Sequence, residues 1–255
     1  MTNSANLNKI SGYFQTGVGH NNESGYDFSL SDHGCVDGNA HIEVIFENIE
    51  TRLLDIVGNF DVVVGCVAWL TNFNVLEAMR KCHFVNIVVQ KEDYLRNDTQ
   101  HPNKKWAQDL RCAYGALNGK DFSMNIPDLS INHPHFNHRV QECCVTMDGA
   151  WTHYKETVRC IGYGAGDKNR TPKMHHKFLV FCDSDPDVDL IPRAVWTGSY
   201  NVSQNAERSR ENALVIHSET IAHAYLAEWA QLWALSEPLD WKSEVPEKSV
   251  LYVGT

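Results

Sequence analysis

The residues best suited to chemistry lie between Lys173 and Ile216. The chain reads Met174-His175-His176-Lys177-Phe178-Leu179-Val180-Phe181, later Thr197-Gly198-Ser199-Tyr200-Asn201, and then Glu211-Asn212. His175 and Lys177 are two apart at the start of an apolar run, and strand alternation points both side chains to one face. Gly198 marks a turn at the end of a second run and places Ser199 and Asn201 on one side. An imidazole, an ammonium, a hydroxyl and an amide can thus converge. Such a set can hold the oxygens of a phosphate and attack its phosphorus. Phosphoryl transfer is mostly positioning plus charge stabilisation, so few groups suffice. Neither the His-x-Lys triplet nor the Gly-Ser-x-Asn turn says much alone. The information lies in their joint occurrence, in order, at strand ends, with Glu211 following.

The elements that must position these groups are short and apolar. Asp61 to Trp69 (DVVVGCVAW) and Phe84 to Gln90 (FVNIVVQ) read as buried strands, joined by a helix from Phe73 to Cys82. This order implies a parallel crossover unit. Upstream, the apolar residues of His41 to Val57 recur at helical spacing and predict one amphipathic helix, stopped by Gly58 and Asn59. Lys104 to Leu117 reads as helical, and Ile126 to Pro134 as loop. Strands are expected at Val158 to Tyr163, Lys177 to Cys182, Ala194 to Thr197 and Ala213 to Ile216. A helix at Thr220 to Leu235 closes the fold, with Trp229 and Trp233 four apart as core packing.

The bulk numbers bound the function. The chain has 255 residues, 43% of them apolar, with a net charge of −10. That suits a globular protein with a sizeable core and excludes a global basic field for nucleic acid, though not a locally basic cleft. Met1 to Ile10 is polar and lacks the apolar stretch of a secretory signal. No stretch approaches the roughly 18 apolar residues of a membrane span. The eight cysteines include Cys66 and Cys182 inside apolar runs. We therefore expect reduced thiols in a cytoplasmic protein.

His175-His176-Lys177, Gly198-Ser199-Tyr200-Asn201 and Glu211 resemble the signature of the phospholipase D superfamily. The resemblance covers residues 41–95 and 158–235. It implies an α/β fold, a mixed and largely parallel sheet flanked by helices, with one half-site per chain. Residues 1–255 then form a single domain: an arm at 1–40, an insertion at 96–157 and a tail at 236–255. The resemblance further implies that His175 is the nucleophile and forms a phosphohistidine. Lys177 and Asn201 would bind non-bridging oxygens, Ser199 would support by hydrogen bonding, and Glu211 would orient His175. No metal or cofactor is implied. A second histidine must protonate the leaving oxygen. His153-Tyr154-Lys155 repeats the spacing, but Glu156 and Thr157 follow it and no second Gly-Ser-x-Asn turn exists. The second histidine is therefore expected from another copy, in a homodimer. The chain departs from the family at position 182, where Cys182 stands in place of aspartate and Asp183 follows.

Other residues carry weaker expectations. Lys168, Arg170 and Lys173 precede His175, and Arg208 and Arg210 precede Glu211. They are candidates for receiving a polyanion. His176 should point away from the site by alternation. His133, His135 and His138, with Cys143 and Cys144, offer a zinc site as an alternative to rim histidines, but their spacing matches no metal pattern. The expected function is a metal-independent phosphodiesterase acting as a nuclease on DNA or RNA, with no stable membrane association. A phospholipid, cardiolipin or cyclic-nucleotide phosphodiesterase is an alternative using the same chemistry. A non-catalytic phosphate-binding protein, with Cys182 as its mark of degeneracy, is the third reading.

Overall fold

The structure is a computed structural model that describes residues 6–9, 14–15, 27–29, 32–96, 103–119, 130–132, 156–164, 172–184, 190–244 and 249–250. Strands β1 (Phe14–Gln15), β2 (Asp27–Ser29) and β3 (His41–Ile45) come first. Helix α1 (Ile49–Val57), strand β4 (Val62–Val67), helix α2 (Phe73–Met79) and strand β5 (Phe84–Gln90) follow. Then come helix α3 (Lys104–Gly115) and strands β6 (Ser130–Asn132), β7 (Val158–Ile161), β8 (Lys177–Asp183), β9 (Ile191–Gly198) and β10 (Ala213–His217). Helix α4 (Glu219–Ala234) and strand β11 (Ser249–Val250) complete the order.

Seven strands form one mixed sheet in the order β3-β10-β9-β8-β4-β5-β7. The α/β class and the mixed sheet are as expected, and β4 and β5 are parallel across α2. The parallel share is smaller than expected. Only β4–β5 and β5–β7 are parallel, while the four pairings from β3 to β4 are antiparallel. Among the described residues no α-helix lies between β8, β9 and β10, and neighbouring strands joined without a crossover helix return antiparallel.

Every residue of β4 and β5 is buried, because helices cover both faces. On one face Leu53, Val75, Leu76 and Leu110 of α1, α2 and α3 pack on Val63, Leu179, Phe181 and Trp196. On the other, Ala222, Trp229 and Trp233 of α4 pack on Val64, Phe178, Val180 and Val195. Burial of each such aliphatic side chain contributes roughly 1.5–3 kcal/mol. The two tryptophans are core residues. Gly65 is required where β4 meets β8, since a Cβ there would lie 2.3 Å from the Phe178 carbonyl oxygen.

Two element assignments need correction. The segment from His41 to Val57 is not one helix: His41–Ile45 is a strand paired with β10, and the helix starts only at Ile49. Asn48 adopts a left-handed conformation, φ 53°, that breaks the helical path. Helical spacing of the isoleucines is overridden by ladder hydrogen bonds to a distant strand. Ser130–Asn132, read as loop, is a strand paired with β2. The tail also packs more than its polarity suggests. Glu237 exchanges backbone hydrogen bonds with Cys160 and ion-pairs with buried Lys91 at 2.8 Å.

Candidate active site

The strand ends meet at one edge of the sheet. Lys177 opens β8 beside Val67 at the end of β4. Phe178 is in register with Thr197, so Lys177 and Gly198 begin and end neighbouring strands side by side. Gly198 is in turn opposite Ala213, the start of β10. Its φ is +150°, and a Cβ there would lie 2.3 Å from the Asn212 carbonyl oxygen. Only glycine permits this approach of β9 to β10.

Two backbone anchors hold the segment carrying His175. Met174 N donates to the buried Gln90 Oε1 at 2.7 Å, and Ala68 N donates to the His176 carbonyl at 2.9 Å. His175 is therefore exposed between two fixed residues. Lys177 Nζ lies 3.1 Å from its Nδ1 and 3.2 Å from its Nε2, and donates to the His175 carbonyl at 2.9 Å. The Trp69 ring meets the imidazole edge to face at 5.4 Å, and Lys177 Nζ lies 5.7 Å from the same ring. His176 points to the opposite face, 3.3 Å from Glu228 on α4.

The turn after β9 alternates in the same way. Tyr200 and Val202 are buried, whereas Ser199 and Asn201 face outward. Thr71 and Asn72 donate their backbone N–H groups to the Val202 carbonyl at 2.8 and 3.0 Å, docking the turn on the loop after β4. Ser199 Oγ donates to Glu211 Oε2 at 2.5 Å. The expected orienting contact of Glu211 on His175 is thus replaced by one on Ser199, and Glu211 acts on Lys177 through its charge. The Asn201 Oδ1 atom is buried with no hydrogen-bond partner among the described residues.

These surroundings set the proton affinities. Burial lowers the His175 pKa, and the neighbouring Lys177 and His176 charges add to that. Burial also lowers that of Lys177, with the Glu211 carboxylate opposing. Both shifts favour the uncharged form of each group, the form in which an imidazole nitrogen has a lone pair to offer. Cys182 lies in the apolar layer under α4, where burial pushes its thiol up to about 12. It packs as a neutral side chain, while Asp183 pairs with Arg193 at 2.7 Å.

The remaining candidates divide. Lys173 lies 3.3 Å from Glu92 Oε1, which also accepts from Trp69 Nε1 at 3.1 Å, so this lysine braces the wall of the site. Arg208 and Arg210 do not line the groove that holds Asn201 and Glu211. They face a second groove of 550 Å³ that also contains Glu47, Glu50 and Glu207. The turn of Ala206 and Ser209 separates the two. Three carboxylates offset those arginines and make that groove a poor seat for a polyanion. Lys168, Arg170, His153 and the cluster His133, His135, His138, Cys143 and Cys144 lie outside the described residues. Among the described residues no group of three or more metal-ligating side chains forms. No described helix is long and apolar enough to cross a membrane.

Sequence reasoning missed Trp69, Tyr94, Trp106 and Gln90. Trp69 read as the end of an apolar strand, and only its position just past that strand hinted at an edge role.

The family model described as cardiolipin synthase, PLD-like domain, matches residues 122–233. An uncharacterized protein, L381, of Acanthamoeba polyphaga mimivirus is 30% identical over 247 residues, spanning 93% of this chain and 75% of that protein. Among solved structures, NucT from Helicobacter pylori is 14% identical with a TM-score of 0.46, covering 78% of this chain and 99% of its own. Nuc from Salmonella typhimurium, a phospholipase D family member, is 13% identical with a TM-score of 0.43, covering 80% of this chain and all of its own (100%). By the match to that domain and the long alignment with its relative, the chain belongs to the phospholipase D superfamily.

Proposed function

We propose that this protein is a metal-independent phosphodiester hydrolase that cleaves nucleic acid through a phosphohistidine intermediate in a homodimeric site. The observation that carries this reading is an exposed His175 set 3.1 Å from Lys177 Nζ, beside the Ser199–Glu211 pair. A ring nitrogen of His175 attacks phosphorus, the P–N bond forms and the P–O bond to the leaving alcohol breaks. A protonated histidine of the second copy gives its proton to that oxygen. The same histidine, now neutral, takes a proton from water as the water oxygen attacks phosphorus. The P–N bond breaks and His175 returns neutral. Lys177 and the Asn201 amide stabilise the charge on the non-bridging oxygens, so the cations come from the protein itself.

The dimer follows from the need for that acid. The described polar and aromatic neighbours of the His175 ring are Lys177 and Trp69, and His176 faces Glu228 on the other side of the sheet.

The test is hydrolysis in EDTA by wild type and His175→Ala. The substrates are single- and double-stranded DNA, RNA, a cyclic dinucleotide, cardiolipin and bis(p-nitrophenyl) phosphate. Wild type should cleave nucleic acid, and the variant should lose on the order of 10³-fold or more in rate. Activity lost in EDTA and restored by a divalent metal would refute the metal-free mechanism, and an active monomer would refute the dimer. A preference for cardiolipin would transfer the same chemistry to lipid.

A further inference from the structure

Next to the His175–Lys177 pair runs a groove whose composition phosphate handling does not explain. Trp69, Tyr94 and Trp106 are among its lining residues, and its volume is 340 Å³. Tyr94 and Trp106 meet edge to face at 5.3 Å. The Asn103 side chain caps α3 by accepting from Trp106 N at 3.1 Å, which sets where that ring enters. Trp69 is held at its Nε1 by Glu92 and touches His175 edge-on, so the groove runs directly into the reacting centre. All three aromatic residues are half-buried, leaving part of each at the groove surface.

Its polar lining residues are Thr71, Asn201, Ser203, Asn205 and Ser209, with one carboxylate, Glu211, which accepts from Ser199 Oγ. Ala206 is the one aliphatic side chain among the described lining residues, which leaves little to bury an acyl chain. No Lys or Arg lines the groove among the described residues, so it is not built for a second phosphate. Aromatic surface together with amides and hydroxyls is the composition that stacks a base and hydrogen-bonds its edge. The volume is at the low end of ligand pockets, about 300–1,000 Å³.

We propose that this groove is a nucleobase subsite, which seats the base of the nucleotide adjoining the scissile phosphate against the Trp69, Tyr94 and Trp106 rings. The inference rests on the phosphodiesterase reading above and names its substrate class. Base stacking makes the site indifferent to which base is present, so it selects nucleic acid over other phosphodiesters without reading sequence.

The experiment measures binding in EDTA by fluorescence anisotropy. The probes are an end-labelled short oligothymidylate and an abasic deoxyribose-phosphate oligomer of equal length and charge. Wild type should bind the base-bearing oligomer about 5- to 100-fold more tightly. Trp106→Ala should erase that difference, and Trp106→Phe should keep most of it. Equal affinity of wild type for the two oligomers overturns the subsite, whatever the variants do. So does displacement of the oligomer by dihexanoylphosphatidylglycerol more readily than by thymidine monophosphate. Hydrolysis of methyl p-nitrophenyl phosphate, which carries no base, is followed in parallel. Hydrolysis without base discrimination removes the subsite and leaves the phosphodiesterase. Discrimination without hydrolysis keeps a base-binding groove and removes the catalytic reading.

Discussion

Ser199 Oγ donates to Glu211 Oε2 at 2.5 Å and accepts from Asn212 N at 3.0 Å, so one hydroxyl ties the end of β9 to the approach to β10. It closes the gap that Gly198 allows. Ser199→Ala removes both bonds. It should lower stability by about 1 kcal/mol in urea unfolding, since the group is exposed, and lower kcat by roughly 10²-fold through misplacement of the Asn201 turn. Glu211→Gln keeps a hydrogen-bond acceptor but removes the charge that supports Lys177, so it should depress the lysine pKa further. Unchanged kcat in Ser199→Ala would place the pair outside the reaction.

The pH dependence has a defined sign. In the proposed mechanism His175 attacks as the neutral ring, and burial with Lys177 and His176 holds its pKa below the ordinary 6.5. Activity should rise with pH as the attacking ring loses its proton and fall again as the histidine of the second copy loses the proton it must donate, a bell-shaped profile. The unfolded chain takes up the proton first as pH falls. This histidine therefore contributes stability above about 6.5 that is lost as pH drops through its folded pKa. Titration of the ring by NMR checks this directly, and Lys177→Met should move the midpoint back towards the ordinary value. A midpoint above 6.5 in wild type would contradict the arrangement.

Gln90 is a positioning residue. It is fully buried, its Nε2 donates to the carbonyls of Lys91 at 2.9 Å and Tyr163 at 2.7 Å, and its Oε1 accepts from Met174 N. Gln90→Leu strands those groups and should destabilise by about 3 kcal/mol or more. Gln90→Glu keeps the acceptor for Met174 while losing the donors. If Gln90 sets His175, kcat of the folded protein falls in the leucine variant and is largely kept in the glutamate variant. Equal losses would reduce Gln90 to a structural role.

Cys182 occupies the family's aspartate position, yet it is buried among Val62, Val64 and Val180 under α4. Cys182→Asp places a carboxyl in that apolar layer. It should cost about 2–4 kcal/mol in urea unfolding and raise the carboxyl pKa. Cys182→Ala should cost less and leave kcat unchanged. A gain in stability on introducing aspartate would mean that a polar partner lies within reach.

The convergence of the candidate site groups was legible in the chain because their placement is local. Alternation points His175 and Lys177 to one side and His176 to the other, and Gly198 announces the turn that exposes Ser199 and Asn201. Buried strands such as Phe84–Gln90 were legible for a related reason, since residues buried on both faces leave a continuous apolar run. His41–Ile45 was not legible, because its strand state depends on β10, distant in sequence. Its isoleucines fit a helix equally well.

By itself, the sequence determined the fold class, the His175–Lys177 and Ser199–Asn201 sets, and their likeness to one superfamily. Tertiary structure alone decided which groups share a cavity. Trp69, Tyr94 and Trp106 come from a loop, a tight turn and a helix, and nothing in their spacing relates them. Arg208 and Arg210 lie beside Glu211 in sequence yet face another groove, because the turn at Ala206 and Ser209 stands between. Period and spacing act over a few residues, whereas a cavity is made where distant segments stop packing against each other.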